Sequence, residues 1–160
     1  MDNNIIKQIP ANIEAEQALL GSIIISPDSF DRVSGMINAE DFYLEEHKHI
    51  YRTLLNMFNS SKVIDTVTLV NSLVEEGYRD EAGGSQYIAL IANSVPTVAN
   101  AKDYAKIVKD KAVLRRLISI CESISSDAYE ESSPVKAIVD SAEQKVFDIS
   151  RDSAGKEIRH

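Results

Sequence analysis

Ala101-Lys-Asp-Tyr-Ala-Lys-Ile-Val-Lys-Asp-Lys-Ala-Val-Leu-Arg-Arg-Leu-Ile-Ser-Ile-Cys-Glu-Ser-Ile124 opens the stretch that decides the fold; a Ser132-Ser133-Pro134 break and a second run to Ile149 complete it. In the second run Val135, Ile138 with Val139, Ala142, Val146 and Ile149 recur at steps of three and four. That spacing is the apolar line of a helix packed along its length against another helix. In the first run Leu114, Leu117, Cys121, Ile124 and Ala128 repeat it, and the three-residue break leaves room only for a tight antiparallel return. Residues 99–150 therefore read as a helical hairpin, and residues 1–98 as a compact helical globule before it.

The two helices do not satisfy each other. At about 100° per residue the second keeps its apolar set within about 100°, whereas Ile118 and Ile120 widen the set of the first to about 160°. One neighbouring helix cannot cover that arc. A second contact is implied, with the globule or with another copy of the chain, and Phe147, off the apolar line of its helix, also needs a partner. The candidate subunit-interface residues are Leu114, Leu117, Ile118, Ile120, Cys121, Ile124, Val139, Val146 and Phe147.

Composition sets bounds. At 160 residues and 44% hydrophobic content the chain can hold one domain with a real core, with or without an appendage, which excludes disorder throughout. A single Cys excludes a disulfide scaffold, and Cys121 on the apolar line reads most simply as a small buried hydrophobe. Met1-Asp2-Asn3-Asn4 has no basic segment of a secretion signal, and the apolar patch 18–25, broken by Gly21-Ser22, falls far short of the roughly 20 residues of a span. A cytoplasmic protein is expected.

The net charge of −8 is uneven. Residues 1–99 hold 6 Lys/Arg against 14 Asp/Glu, and residues 100–160 hold 11 of each. An acidic globule repels phosphate backbones, so direct nucleic-acid binding is not expected of it. Lys102, Lys106, Lys109 and Arg116 fall on one side of their helix, as a solvated or internally paired face or as a contact for an acidic partner.

Before the hairpin the chain is all-α. Asn12 caps a first helix with Glu14 and Glu16 in its opening turns and Ile13, Leu20 and Ile24 on its apolar face. Ser26-Pro27-Asp28 leads to a short second helix through Met36, and Asn38–Tyr43 forms a capped turn. Glu45–Asn59 and Val67–Glu76 are helices, the latter capped by Asp65 or Thr66 and stopped at Gly77; Ser85–Asn93 is another, preceded by the Gly83-Gly84 loop. Val95-Pro96-Thr97 is the hinge into the hairpin. After Ile149 the chain turns polar and irregular.

No catalytic set emerges. Gly83-Gly84 lacks the Gly-Lys-Ser/Thr ending of a phosphate-binding loop. His47 and His49, two apart, point about 200° away from each other on a helix and cannot share a metal, so they read as exposed or half-buried structural residues. The acidic pairs Glu40-Asp41, Glu45-Glu46, Glu75-Glu76 and Glu130-Glu131 sit at helix ends or on polar faces, where solvated charge is the default. No metal or cofactor is expected, and the residues argue for a binding or assembly module.

The N-terminal stretch says more than its periodicity. Ile9-Pro10-Ala-Asn-Ile-Glu-Ala-Glu-Gln-Ala-Leu-Leu-Gly-Ser resembles the opening of the bacterial replicative DNA helicases of the DnaB family. The resemblance runs on collinearly to about residue 150, through Asp41-Phe42-Tyr43, His47 with Ile50-Tyr51, the 65–69 helix start, Gly83-Gly84 with Tyr87, Val95-Pro96-Thr97 with Ala99-Asn100, Tyr104-Ala105-Lys106-Ile107-Val108 and Leu114-Arg115-Arg116-Leu117. It implies the N-terminal domain of such a helicase, with residues 151–160 starting the linker to an ATPase domain that this sequence does not contain. The resemblance further implies a non-catalytic collar. Its hairpins pair between subunits, dimers associate three-fold, primase docks on it, and a helicase loader is a further partner. Glu14, Tyr87, Ile118 and Ile124 are the candidate partner residues, with ordinary core packing as the competing reading for Tyr87 and Ile124. Alternative identities are a free-standing helical adaptor or loading accessory, the helicase-binding domain of a primase, and an all-α enzyme.

Overall fold

The computed structural model describes residues 7–97 and 100–158, with side chains described as far as Arg151. All regular structure among them is helical, as expected. α1 (Ile13–Ile25) starts at Asn12, whose side-chain oxygen accepts the Ala15 N–H at 3.0 Å and satisfies one orphan donor of the first turn. α2 (Ser29–Val33) is shorter than the run to Met36 that the spacing suggests, because Ser34 and Gly35 are weak helix formers and the chain closes there as a turn. A 3-10 turn (Ala39–Asp41) is held by a reciprocal cap between Asn38 and Asp41.

α3 (Glu45–Asn59), α4 (Thr66–Glu76) and α5 (Gly84–Asn93) lie where the periodicity puts them. Asp65 caps α4, accepting the Thr68 N–H at 2.8 Å. That backbone hydrogen bond holds its carboxyl below the usual range.

The residues Ala11–Lys111 form one compact unit. Its core is aromatic at the centre: Tyr51 lies 5.5 Å from Phe30 and 5.1 Å from Phe42, ring centre to ring centre, among Leu19, Leu20, Ile23, Leu54 and Leu69. α1 and α5 approach closely at Gly21. A Cβ there would stand 2.3 Å from a Val95 methyl and 2.5 Å from the Ile91 carbonyl oxygen, so no larger residue fits. α6 (Ala101–Glu130) contributes Ala101, Ala105 and Val108 to the same core. The domain boundary expected at 98/99 falls on residues 98 and 99, which lie outside the described residues.

The second unit holds α6 from Ala112 onward and α7 (Val135–Ile158). The link between the helices turns at Glu131, whose φ of 50° lies in the left-handed region. Lys145 Nζ on α7 donates to Ser123 Oγ at 2.9 Å and pairs with Asp127 Oδ2 at 3.0 Å on α6, fixing the antiparallel return. The facing residues differ from the expected ones. Ile120 and Ile124 of α6 are half-buried, as are Ile138, Ala142 and Ile149 of α7, whereas Leu114, Leu117, Cys121, Ala128, Val135, Val139 and Val146 are exposed. Periodicity defined a wide apolar arc but not which edge of it meets the neighbour; the Lys145–Asp127 pair selects the edge through Ile120, Ile124 and Asp127. Cys121 is correspondingly exposed, not a buried hydrophobe.

α7 also continues past Ile149 to Ile158, where the polar composition suggests irregular chain. Arg151, Ala154, Lys156 and Glu157 are good helix formers, and a helix once begun propagates through such a run.

Candidate functional site

Two arrangements stand out, one in each unit. In the hairpin, Leu114, Ile118, Cys121, Ser125 and Tyr129 follow one another along α6 at steps of four, three, four and four, with Leu117 beside them; the large apolar members and Cys121 are exposed. At 1.5 Å per residue this stripe is about 22 Å long. A shallow groove of about 740 Å3 runs along its C-terminal half, bordered by Leu117, Ile118, Cys121, Tyr129 and the flanking Glu122 and Glu130. On α7 Val139, Val146 and Phe147 are exposed as well, and the Arg151 guanidinium lies 5.9 Å from the Phe147 ring centre. An apolar stripe of this length is what a partner surface requires and a solvated helix does not.

Of the expected interface set, the structure brings Leu114, Leu117, Ile118 and Cys121 together on this stripe. Ile120 and Ile124 are instead half-buried on the side of α6 that meets α7. Tyr129 and Ser125 extend the stripe and were missed by sequence reasoning. The steps from Ile118 through Cys121 and Ser125 to Tyr129 were the available signal, obscured because Ser is not counted as apolar.

In the globule, Glu16, His47 and Tyr87 form a chain of short hydrogen bonds across α1, α3 and α5. His47 Nδ1 lies 2.7 Å from Glu16 Oε1, and His47 Nε2 lies 2.6 Å from Tyr87 Oη. The other Glu16 oxygen accepts the Tyr43 N–H at 2.7 Å, and Gln17 Nε2 donates to Tyr87 Oη at 3.2 Å. With Nδ1 donating to Glu16 and Nε2 accepting the Tyr87 hydroxyl, every member of the chain has a partner. Burial pushes the Tyr87 hydroxyl above its ordinary value, against the opposing effect of the Gln17 hydrogen bond. His47 is 0% exposed and Glu16 1%, which corrects the exposed or half-buried reading of this histidine. Glu16 and His47 are buried and Tyr87 is half-buried at the end of this hydrogen-bonded chain. Its role is to fix three helices and the Tyr87 ring, which stacks on His47 at 5.8 Å and 6°.

Tyr87 also explains the Gly83-Gly84 loop. Gly83 has φ of 96°, and a Cβ on it would meet the Tyr87 ring at 2.6 Å, so glycine is required on both counts. Asp41 is another correction. It is wholly buried, not solvated, accepting the Asn38 N–H at 2.9 Å and pairing with Lys109 at 3.2 Å. Glu14 is exposed on the first turn of α1 and Tyr87 is half-buried with its hydroxyl engaged internally. Among the described residues no group of acidic, His or Cys side chains could hold a metal ion, and no helix is long and apolar enough to cross a membrane.

The chain is similar to known proteins in sequence and fold. The profile of the DnaB-like helicase N terminal domain matches residues 8–110. The chain is 40% identical over 142 residues to the replicative DNA helicase DnaB of Pasteurella multocida, covering 88% of this chain and 30% of that protein. To the replicative DNA helicase DnaC of Bacillus subtilis it is 38% identical, covering 89% and 31%. The chain thus spans about 30% of the length of the curated relatives it matches. Among solved structures, the N-terminal domain of DnaB helicase from Mycobacterium tuberculosis superposes with a TM-score of 0.82 at 32% identity, covering 88% of this chain and 99% of that one. A DnaB-like replicative helicase described with its interactions with primase superposes at 0.71 and 23% identity, covering 92% and 34%, and supports the fold alone. With a family profile spanning most of its length and a like-folded N-terminal domain at 32% identity, the chain belongs to the DnaB-like helicase N terminal domain family.

Proposed function

We propose that this chain is the collar tier of a replicative DNA helicase: a non-catalytic cytoplasmic module through which subunits associate and primase docks, with loader contact as a further role. The observation that carries the reading is the apolar stripe through Leu114, Ile118 and Cys121, which its own hairpin leaves exposed. Hairpins pairing across it form dimers, and dimers assemble three-fold. Leu117 belongs to that surface; Val139, Val146 and Phe147 enlarge it on α7, and Ile120 and Ile124 act from the side of α6 that meets α7. Residues 151–160 begin the connection to a motor domain.

Glu14 and Tyr87 on the globule and Ile118 and Ile124 on the hairpin are the proposed primase contacts. The test is calorimetric titration of the 160-residue chain with the helical C-terminal domain of a cognate primase. Saturable binding is expected, and Glu14→Lys or Ile118→Asp should each weaken it about tenfold, the size of a single interface hot spot. Unchanged affinity in both variants would remove these residues from the docking surface, and no binding at all would remove docking on this tier.

A further inference from the structure

The outer face of α4 carries apolar residues where a solvated helix has no use for them. Leu69, Ser72 and Leu73 are its buried positions. Opposite them, at about 100° per residue, stand Val67, Asn71 and Val74. Val67 is 77% exposed and Val74 52%, and Val63, on the loop leading into the helix, is 73% exposed. β-Branched residues are poorer helix formers than the Lys, Glu or Gln such positions accept, so propensity does not explain them.

Beside these valines a depression of about 310 Å3 opens between the loop and the helix. Met57 lies at its back, Lys62 and Val63 line one wall, and Thr68, Asn71 and Glu75 line the other. Asn71 Nδ2 donates to Glu75 Oε1 at 3.0 Å, holding that carboxylate at the lip.

Charge selects the occupant. Residues 62–81 hold five acids (Asp65, Glu75, Glu76, Asp80, Glu81) against Lys62 and Arg79, so 5 − 2 leaves an excess of three negative charges. A nucleic acid is repelled by this face. A second globule, carrying the same excess, is repelled too. A cationic partner is attracted, and an apolar face on it is needed to cover the valines. We infer that this face of α4 docks a basic amphipathic helix of another protein: one apolar side chain enters the depression against Met57 and Val63, its neighbours cover Val67 and Val74, and Lys or Arg side chains meet Glu75 and the acids that follow Gly77.

The probe is a synthetic helical peptide of about four turns with Leu at a three-four spacing and Lys elsewhere. It is titrated into the methyl-labelled 160-residue chain and followed by NMR. Three comparisons accompany it: a scrambled peptide of the same composition, one with Glu in place of Lys, and dilution of the chain alone. The Leu/Lys peptide should shift the methyl signals of Met57, Val63, Val67 and Val74 to saturation. The scrambled peptide should bind about tenfold more weakly, the cost of losing the anchored apolar contacts, and the Glu peptide should not bind. Glu75→Lys, on the surface and outside the core, should weaken the Leu/Lys peptide several-fold. V67D/V74D should abolish it with unchanged helical circular dichroism. Equal binding of the scrambled peptide, or shifts confined to the α6 stripe with α4 silent, overturns the proposal. Shifts of the same α4 methyls on dilution of the chain alone would make a second copy the occupant and overturn it as well.

Discussion

His47 Nδ1 stands 2.7 Å from Glu16 Oε1 across 31 residues of sequence, with both side chains sealed from solvent. The contact joins α3 to α1, and the far side of the same imidazole joins α5 through Tyr87. Removing either partner strands a buried polar group. Glu16→Leu leaves the buried His47 Nδ1 without this partner, and should cost about 3 kcal/mol. His47→Leu should cost a similar amount, and the double variant clearly less than the sum, because the second change removes the group the first left unpaired. Urea unfolding of the four forms measures this; strict additivity would mean the two residues do not act as a unit.

Gly83→Ala forces a Cβ onto a residue at φ of 96° and into the Tyr87 ring. The expected loss is about 2 kcal/mol, comparable to other strained left-handed positions. Gly84→Ala, at φ of 83° but with open space around it, should cost less. Thermal melts that rank the two variants the other way would show that ring contact at Gly83 is unimportant.

Lys109 pairs with wholly buried Asp41 from α6. Lys109→Met keeps the stem packing but removes the charge, and should destabilise the globule by about 2 kcal/mol at neutral pH. Urea unfolding of the variant beside the parent measures this; equal stability of the two would show that the buried pair contributes nothing.

Alkaline stability should follow Tyr51. Burial, with a smaller contribution from Asp41, raises its hydroxyl from 10.0 to about 12, and the hydroxyl donates to the Ile37 carbonyl at 3.0 Å. The folded state holds this proton more tightly than the unfolded chain does. Its contribution is therefore complete below pH 10 and is lost as pH rises from 10 towards about 12. Tyr87, raised in the same direction, adds to the same limb. Tyr51→Phe should flatten the decline of the melting temperature over that window; an unchanged slope would assign it to other groups.

The helices were legible because their signals are local. Asn12, Asp65 and Gly77 mark ends that the structure reproduces to within a residue, and the three-residue break at Ser132–Pro134 leaves little choice but a return. The rotation of α6 was not legible, since Leu117 and Ile120 are equally apolar and the two edges of the arc are distinguished by the Lys145 contacts to Ser123 and Asp127. Nor were the buried polar groups. Glu16, Asp41 and His47 have the local sequence context of solvated residues, and their burial depends on partners such as Tyr87 and Lys109, 40 and 68 residues away from His47 and Asp41. Long-range pairing leaves no periodic trace.

The exposed stripe on α6 is, on our reading, an association surface. Sedimentation velocity of the 160-residue chain up to hundreds of micromolar, beside Leu117→Asp/Ile118→Asp, tests this most directly. The unaltered chain should show a concentration-dependent shift to dimer or larger species, and the variant should remain a monomer with its helical circular dichroism intact. A strict monomer at the highest concentration, or association undiminished in the variant, would contradict it.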